Sequence, residues 1–203
     1  MFGFFRLKKT QLEEYCNNLT IDGLVSSHTS SVDGESVVVP LAMLFLYQAG
    51  SFIGDISNDK KLRKYYQIVN TDLVVLETIY YLHSALSYLF MDEVYDEDEG
   101  LSALNSALGA TLSFVESKSD ITGAYEFSLA RGYSPNLKDA TERFALILEH
   151  NCRGSKPIRR PNMDINNSNL ETHLSLKAHT IAFAQVQVPV CNDIAQKIIE
   201  REC

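Results

Sequence analysis

Residues 73–91 constrain the fold more than any other stretch of this chain. At 100° per residue, Val74, Val75, Leu76, Ile79, Leu82, Ala85, Leu86, Leu89 and Phe90 fill an arc of about 200°. A helix apolar over that arc has to be touched by neighbours on most sides, so it belongs at the centre of a helical bundle. The remaining narrow stripe is polar and aromatic: Glu77, Tyr80, Tyr81, Ser84, Ser87 and Tyr88. His83 falls at the edge of the apolar arc. The run is long enough to span a bilayer, but a charge near its middle is costly in lipid, and Glu77 and His83 interrupt it. Val37–Ile53, the other apolar stretch, is short for a span and contains Pro40, Gln48 and Gly50. Both read as buried core helices, with no membrane.

Other helices follow from caps and periodicity. Thr10-Gln-Leu-Glu13 is a capping box, in which Thr and Glu reciprocally satisfy free backbone donors, and a short helix to about Asn18 is expected after it. Residues 20–36 read as a loop, and Asp33-Gly34 before Val37-Val38-Val39 suggests a minor β hairpin near 30–39. Pro40 suits the first turn of a helix running to about Ile53, and Asn58 is placed to cap the next. After Met91 come six carboxylates in eight residues, Asp92, Glu93, Asp96, Glu97, Asp98 and Glu99, ending at Gly100. Negative charge at a helix C-terminus opposes the macrodipole, so residues 92–100 are expected to be a loop. The next helix, Leu101–Glu116, puts Leu101, Leu104, Leu108, Leu112 and Val115 on one face. Further helices are expected over Ile121–Arg131 and from the Asn136 cap to about His150. Residues 152–167 read as irregular. A second capping box, Ser168-Asn-Leu-Glu171, opens a helix to about Phe183. Val186-Gln-Val188-Pro189 alternates like a strand, which leaves strand and helix both open over 186–190, and Asn192 or Asp193 is placed to cap a last helix. The expected fold is all-α, a single-domain irregular bundle of about seven to eight helices over residues 1–203 around the central helix 73–91.

Composition narrows the function classes. The net charge is −8 with 26 acidic and 18 basic residues, which disfavours nucleic acid and suits a partner with a basic surface. The four cysteines, Cys16, Cys152, Cys191 and Cys203, show no metal spacing and read as reduced thiols in a cytoplasmic protein. No phosphate-binding glycine loop, nucleophile elbow or zinc-helix motif occurs. His173 and His179 stand about 240° apart on a helix, so they share no ligand face. No catalytic residue, metal site or cofactor is therefore expected.

Three groups of residues remain as candidates. The acidic strip Asp92, Glu93, Asp96, Glu97, Asp98 and Glu99 is either a solvated loop or a docking surface; it fails the calcium-loop spacing, because Gly100 as sixth position puts Ser106 at the twelfth. The seam of Glu77, Tyr80, Tyr81, Ser84 and Tyr88 either lines a pocket, where a buried Glu would serve as general acid or base, or satisfies its own hydrogen bonds between packed helices. Arg153, Lys156, Arg159 and Arg160 are either solvated or an anion-binding loop, though no aromatic residue is interleaved to stack bases.

A helical, acidic chain with charged segments and no catalytic set resembles in general character the immunity-type and other inhibitor proteins. The Leu46-Tyr47-Gln48-Ala49-Gly50 segment before a long apolar helix is loosely similar to helical immunity domains. That resemblance implies a non-enzymatic protein-binding protein, monomer or homodimer, docking a basic partner through its acidic residues. The alternatives are a small-molecule-binding or enzymatic protein using the Glu77 seam, and a nucleic-acid-contacting regulator using residues 153–160.

Overall fold

The computed structural model describes residues 10–20, 37–65, 71–92, 97–131, 133, 136–152 and 174–200. Among these residues the chain is an all-α bundle with no strand. The helices are α1 (Gln11–Asn18), α2 (Val38–Asn58), α3 (Lys60–Tyr65), α4 (Thr71–Asp92), α5 (Glu97–Lys118), α6 (Ala124–Arg131), α7 (Leu137–Cys152), α8 (Leu174–Ala182) and α9 (Val188–Glu200). α8 and α9 are halves of one continuous helix, joined through a π-helical turn at Phe183–Gln187.

α4 is the central element, packed against α1, α2, α5, α6, α7 and α9. The apolar arc read from the sequence is buried along its length, apart from the half-buried Leu89. The buried apolar side chains of all the helices merge into one cluster around it. α2 and α4 are each long and apolar enough to cross a membrane, but in this fold 67% and 72% of their apolar windows are buried against the other helices.

The caps follow local chemistry. Thr10 Oγ1 accepts from the Glu13 amide at 3.1 Å and donates to Asp72 Oδ1 at 2.5 Å, so one hydroxyl both starts α1 and ties it to α4. Asn136 Oδ1 accepts from the Lys138 and Asp139 amides at the head of α7, as expected. At α3 the capping side chain is Asp59, one residue beyond the expected Asn58. α1 then lies so close to α2 that a Cβ on Gly50 would stand 2.7 Å from the Cys16 carbonyl oxygen. A glycine is the residue this crossing admits.

Several boundaries differ from the sequence reading. Val38 and Val39 begin α2 and form no hairpin strand; the rest of that hairpin lies outside the described residues. The β-propensity of these valines is a weak, context-dependent preference, and the helix that carries the core residues from Pro40 onward extends back through Val38. α2 also runs past Ile53 to Asn58. The loop expected over 92–100 is helical from Glu97 onward. Negative charge that is unfavourable at the C-terminus of one helix is favourable in the first turn of the next, so the acidic run that ends α4 also suits the start of α5. α6 starts at Ala124 rather than Ile121, because Gly123 takes a φ of 74° and Glu116 Oε1 accepts from the Ala124 amide at 2.7 Å.

The segment 186–190 is helix, and Asn192 is a buried residue inside α9, not a cap. Pro189 explains the ambiguity and the π turn together. A proline inside an α-helix has no N–H and clashes with the carbonyl four residues back. The wider turn ahead of it, in which the Val188 amide reaches the Phe183 carbonyl, accommodates the ring without ending the helix. It also repairs the pattern of burial. Leu176, Thr180, Ala184 and Val188 are buried at steps of four, and in a regular helix each such step drifts by about 40°. The extra residue in the π turn resets that drift, so α8 and α9 turn the same side to the core.

Candidate functional site

The tyrosine seam of α4 is interior over its first half. Glu77, Tyr80 and Tyr81 are fully or almost fully buried, Ser84 and Ser87 are half-buried, and Tyr88 is exposed. Around Glu77 the structure assembles partners from α6 and the residues beyond it. Arg131 Nε donates to Glu77 Oε2 at 3.0 Å, and Arg131 Nη2 donates to Oε1. The Tyr133 hydroxyl lies 3.4 Å from Oε2. Both carboxylate oxygens are thus engaged by a guanidinium fork, the geometry of a charge-assisted bidentate pair.

Burial pushes the Glu77 carboxyl above its ordinary value, while Arg131 and then Tyr133 pull it back. The guanidinium is raised in turn by the carboxylate it contacts. Burial also pushes Tyr133 well up, and Tyr80 beyond the range of a useful acid. A general base needs an unshared lone pair within reach of a substrate. Glu77 shares both oxygens with protein donors, so this centre is a cross-brace between α4 and the end of α6.

The neighbouring tyrosines are used the same way. The Tyr80 hydroxyl donates to the Ala124 carbonyl at 2.5 Å, which fixes the start of α6. The Tyr81 hydroxyl lies 2.8 Å from Thr141 Oγ1 on α7, and its ring stacks on Phe144 at 4.5 Å. Tyr133 meets Tyr81 edge-on at 5.8 Å. Sequence reasoning found Glu77 and its tyrosines but missed Arg131 and Tyr133. The usable signal was the charge itself, since a Glu in an apolar helix demands a cation from elsewhere in the chain.

On the opposite flank of α4, His83 Nε2 lies 3.0 Å from Asn105 Oδ1 of α5, with the ring edge-on to Phe45. Burial pushes this imidazole below its ordinary value, more than the Asn105 hydrogen bond raises it. The folded state therefore resists a proton that the unfolded chain takes up near pH ~6.5. The contribution is intact above that pH and is lost as the pH falls through it, down to the lower folded-state value. The thermal midpoint should drop on acidification from about pH 8 to about pH 5, and a His83→Gln variant should flatten that part of the profile. A variant profile parallel to the wild type would remove His83 as the cause.

Asp92 closes α4, and Glu97, Asp98 and Glu99 form the first turn of α5. Glu93 and Asp96 lie outside the described residues, as do Arg153, Lys156, Arg159 and Arg160. Among the described residues no group of three or more His, Cys, Asp or Glu is arranged to hold a metal ion.

Two surface features remain. One is a groove of about 680 Å3 between the α2–α3 corner and α8, where His179 Nε2 lies 3.0 Å from Asp59 Oδ2. That contact holds the Asp59 carboxyl below its usual range, and Lys60, Lys61 and Ser175 line the same groove. The other is the outward side of α8 and α9, where Leu174, Ile181, Val186 and Val190 are exposed. Comparison with known proteins adds nothing to this geometry: no family model, curated protein or solved structure matches the chain.

Proposed function

We propose that this chain is a non-enzymatic helical protein-binding protein of the inhibitor or immunity type. The observation that carries the reading is the row of large apolar side chains exposed on α8 and α9. Isolated apolar residues are ordinary on a surface, whereas a contiguous row along one helix marks an association surface. The Glu77 centre supports the same reading, because both oxygens of the most chemically suggestive group in the sequence already accept hydrogen bonds from Arg131. The net charge of −8 suits a partner with a basic surface, met by the acidic residues between α4 and the head of α5. Such charges act mainly on the rate of encounter.

The test is capture from the source cell extract by immobilised wild type and two variants, followed by kinetics with whatever is retained. Asp96→Asn/Glu97→Gln/Asp98→Asn should slow association with a basic partner at low salt and leave the thermal midpoint nearly unchanged. Val186→Glu/Val190→Glu should abolish association at the apolar row. Retention of the same proteins, at the same rates, by all three forms would sink the proposal.

A further inference from the structure

The groove between the α2–α3 corner and α8 gathers positive charge on an acidic chain. Residues 60–64 read Lys-Lys-Leu-Arg-Lys, four of the chain's 18 basic residues within five positions. Lys60 and Lys61 line the groove from α3, His179 lines it from α8, and Ala178 and Ala182 give it an apolar side. Asp59 is the one carboxylate among the lining residues, and it is already engaged. Its Oδ1 accepts from the Lys61 and Leu62 amides at 2.6 and 3.2 Å, and its Oδ2 accepts from His179 Nε2 at 3.0 Å. Lys60 and Lys61 are both exposed and have no carboxylate partner among the described residues. At about 680 Å3 the groove has the size of a small-molecule site. A concave surface whose uncompensated charge has one sign draws in counter-ions.

We propose that this groove binds a small organic phosphate monoester, with the phosphate at Lys60 and Lys61 and an apolar body against Ala178 and Ala182. Charge favours phosphate over carboxylate. A phosphate monoester carries about −1.5 to −2 at pH 7, which two ammonium groups balance, whereas a carboxylate balances only one of them. Lysine meets phosphate as a point charge and needs no fixed fork, so two flexible side chains on neighbouring positions suffice. Shape favours a compact body. Ala178 and Ala182 stand one helical turn apart, about 6 Å along the axis, which is the span of a single ring or a short aliphatic chain. Asp59 holds His179 against the α2–α3 corner, so the two walls of the groove are tied together without using either lysine. A phosphate held here is independent of any partner on the apolar row of α8 and α9.

The test is isothermal titration calorimetry on the full chain with phenyl phosphate, inorganic phosphate and phenol at constant ionic strength. Phenyl phosphate should bind saturably at one site, inorganic phosphate more weakly, and phenol not at all. Lys60→Gln/Lys61→Gln should raise the phenyl phosphate dissociation constant at least about tenfold, with an unchanged helical circular dichroism signal. Ala182→Leu, a change at an exposed position, should weaken phenyl phosphate and leave inorganic phosphate as it was. Heats that never saturate, or equal affinity in the wild type and the lysine variant, overturn the site. Equal affinity for phenyl phosphate and inorganic phosphate, indifferent to Ala182→Leu, overturns the organic ligand. Flotation with vesicles containing phosphatidic acid, in a chain that binds no soluble monoester, also overturns it and gives the lysines to a lipid headgroup.

Discussion

Replacing Arg131 by alanine should cost about 3–5 kcal/mol of unfolding free energy, because it leaves the Glu77 carboxylate buried without its counter-charge. Glu77 is fully enclosed and takes both strong donors from this one guanidinium. The Tyr133 hydroxyl at 3.4 Å is too distant to replace them. Urea denaturation at neutral pH measures the effect as a shift in midpoint at unchanged slope. The double variant Glu77→Leu/Arg131→Met should recover most of the loss, or exceed the wild type, since a buried ion pair stabilises little relative to apolar residues of similar volume. A loss below about 1 kcal/mol in Arg131→Ala would show that the pair is more solvated than its burial implies.

An effect of similar size is expected at Phe144. Its ring is buried on α7, stacked on Tyr81 of α4 at an interplanar angle of 4°, and in contact with Phe52 of α2 at 5.5 Å. Three helices therefore meet through one side chain, and Phe52 extends the cluster to Phe183 at the π turn at 4.8 Å. Phe144→Ala should cost about 3–5 kcal/mol, combining lost transfer energy with the cavity left among rigid aromatic neighbours. It should also weaken the near-ultraviolet dichroism of Tyr81. Calorimetry gives the first quantity and the dichroism the second. A large loss of stability with an unaltered aromatic signal would mean that the stack does not hold Tyr81 in place.

These two side chains show how differently parts of the fold could be read from the chain. Phe144 was legible, since it continues the inward row Leu137, Ala140, Phe144, Ile147 and Leu148 behind an Asn136 cap that the structure confirms. Arg131 was not, because it reads as an ordinary basic residue in a last helical turn, where the macrodipole alone would favour it. The acidic segment misled the boundary for a related reason. Six carboxylates are unfavourable at the end of one helix, and nothing local states that the last of them begin another.

The sequence by itself determined the class of fold, the central position of α4 and the caps at Thr10 and Asn136. Each of these rests on interactions within one or two turns, or on a periodicity that a single helix displays whatever surrounds it. Tertiary structure decided the rest. It joined Glu77 to Arg131 as a brace between two helices, because the cation that meets this carboxylate lies 54 residues away. It kept α8 and α9 in one helix across Pro189, because a widened turn keeps both halves against the core. A local pattern records which side of a helix is apolar, but which charge meets which, and which apolar side stays in water, depends on helices brought together only when the chain folds.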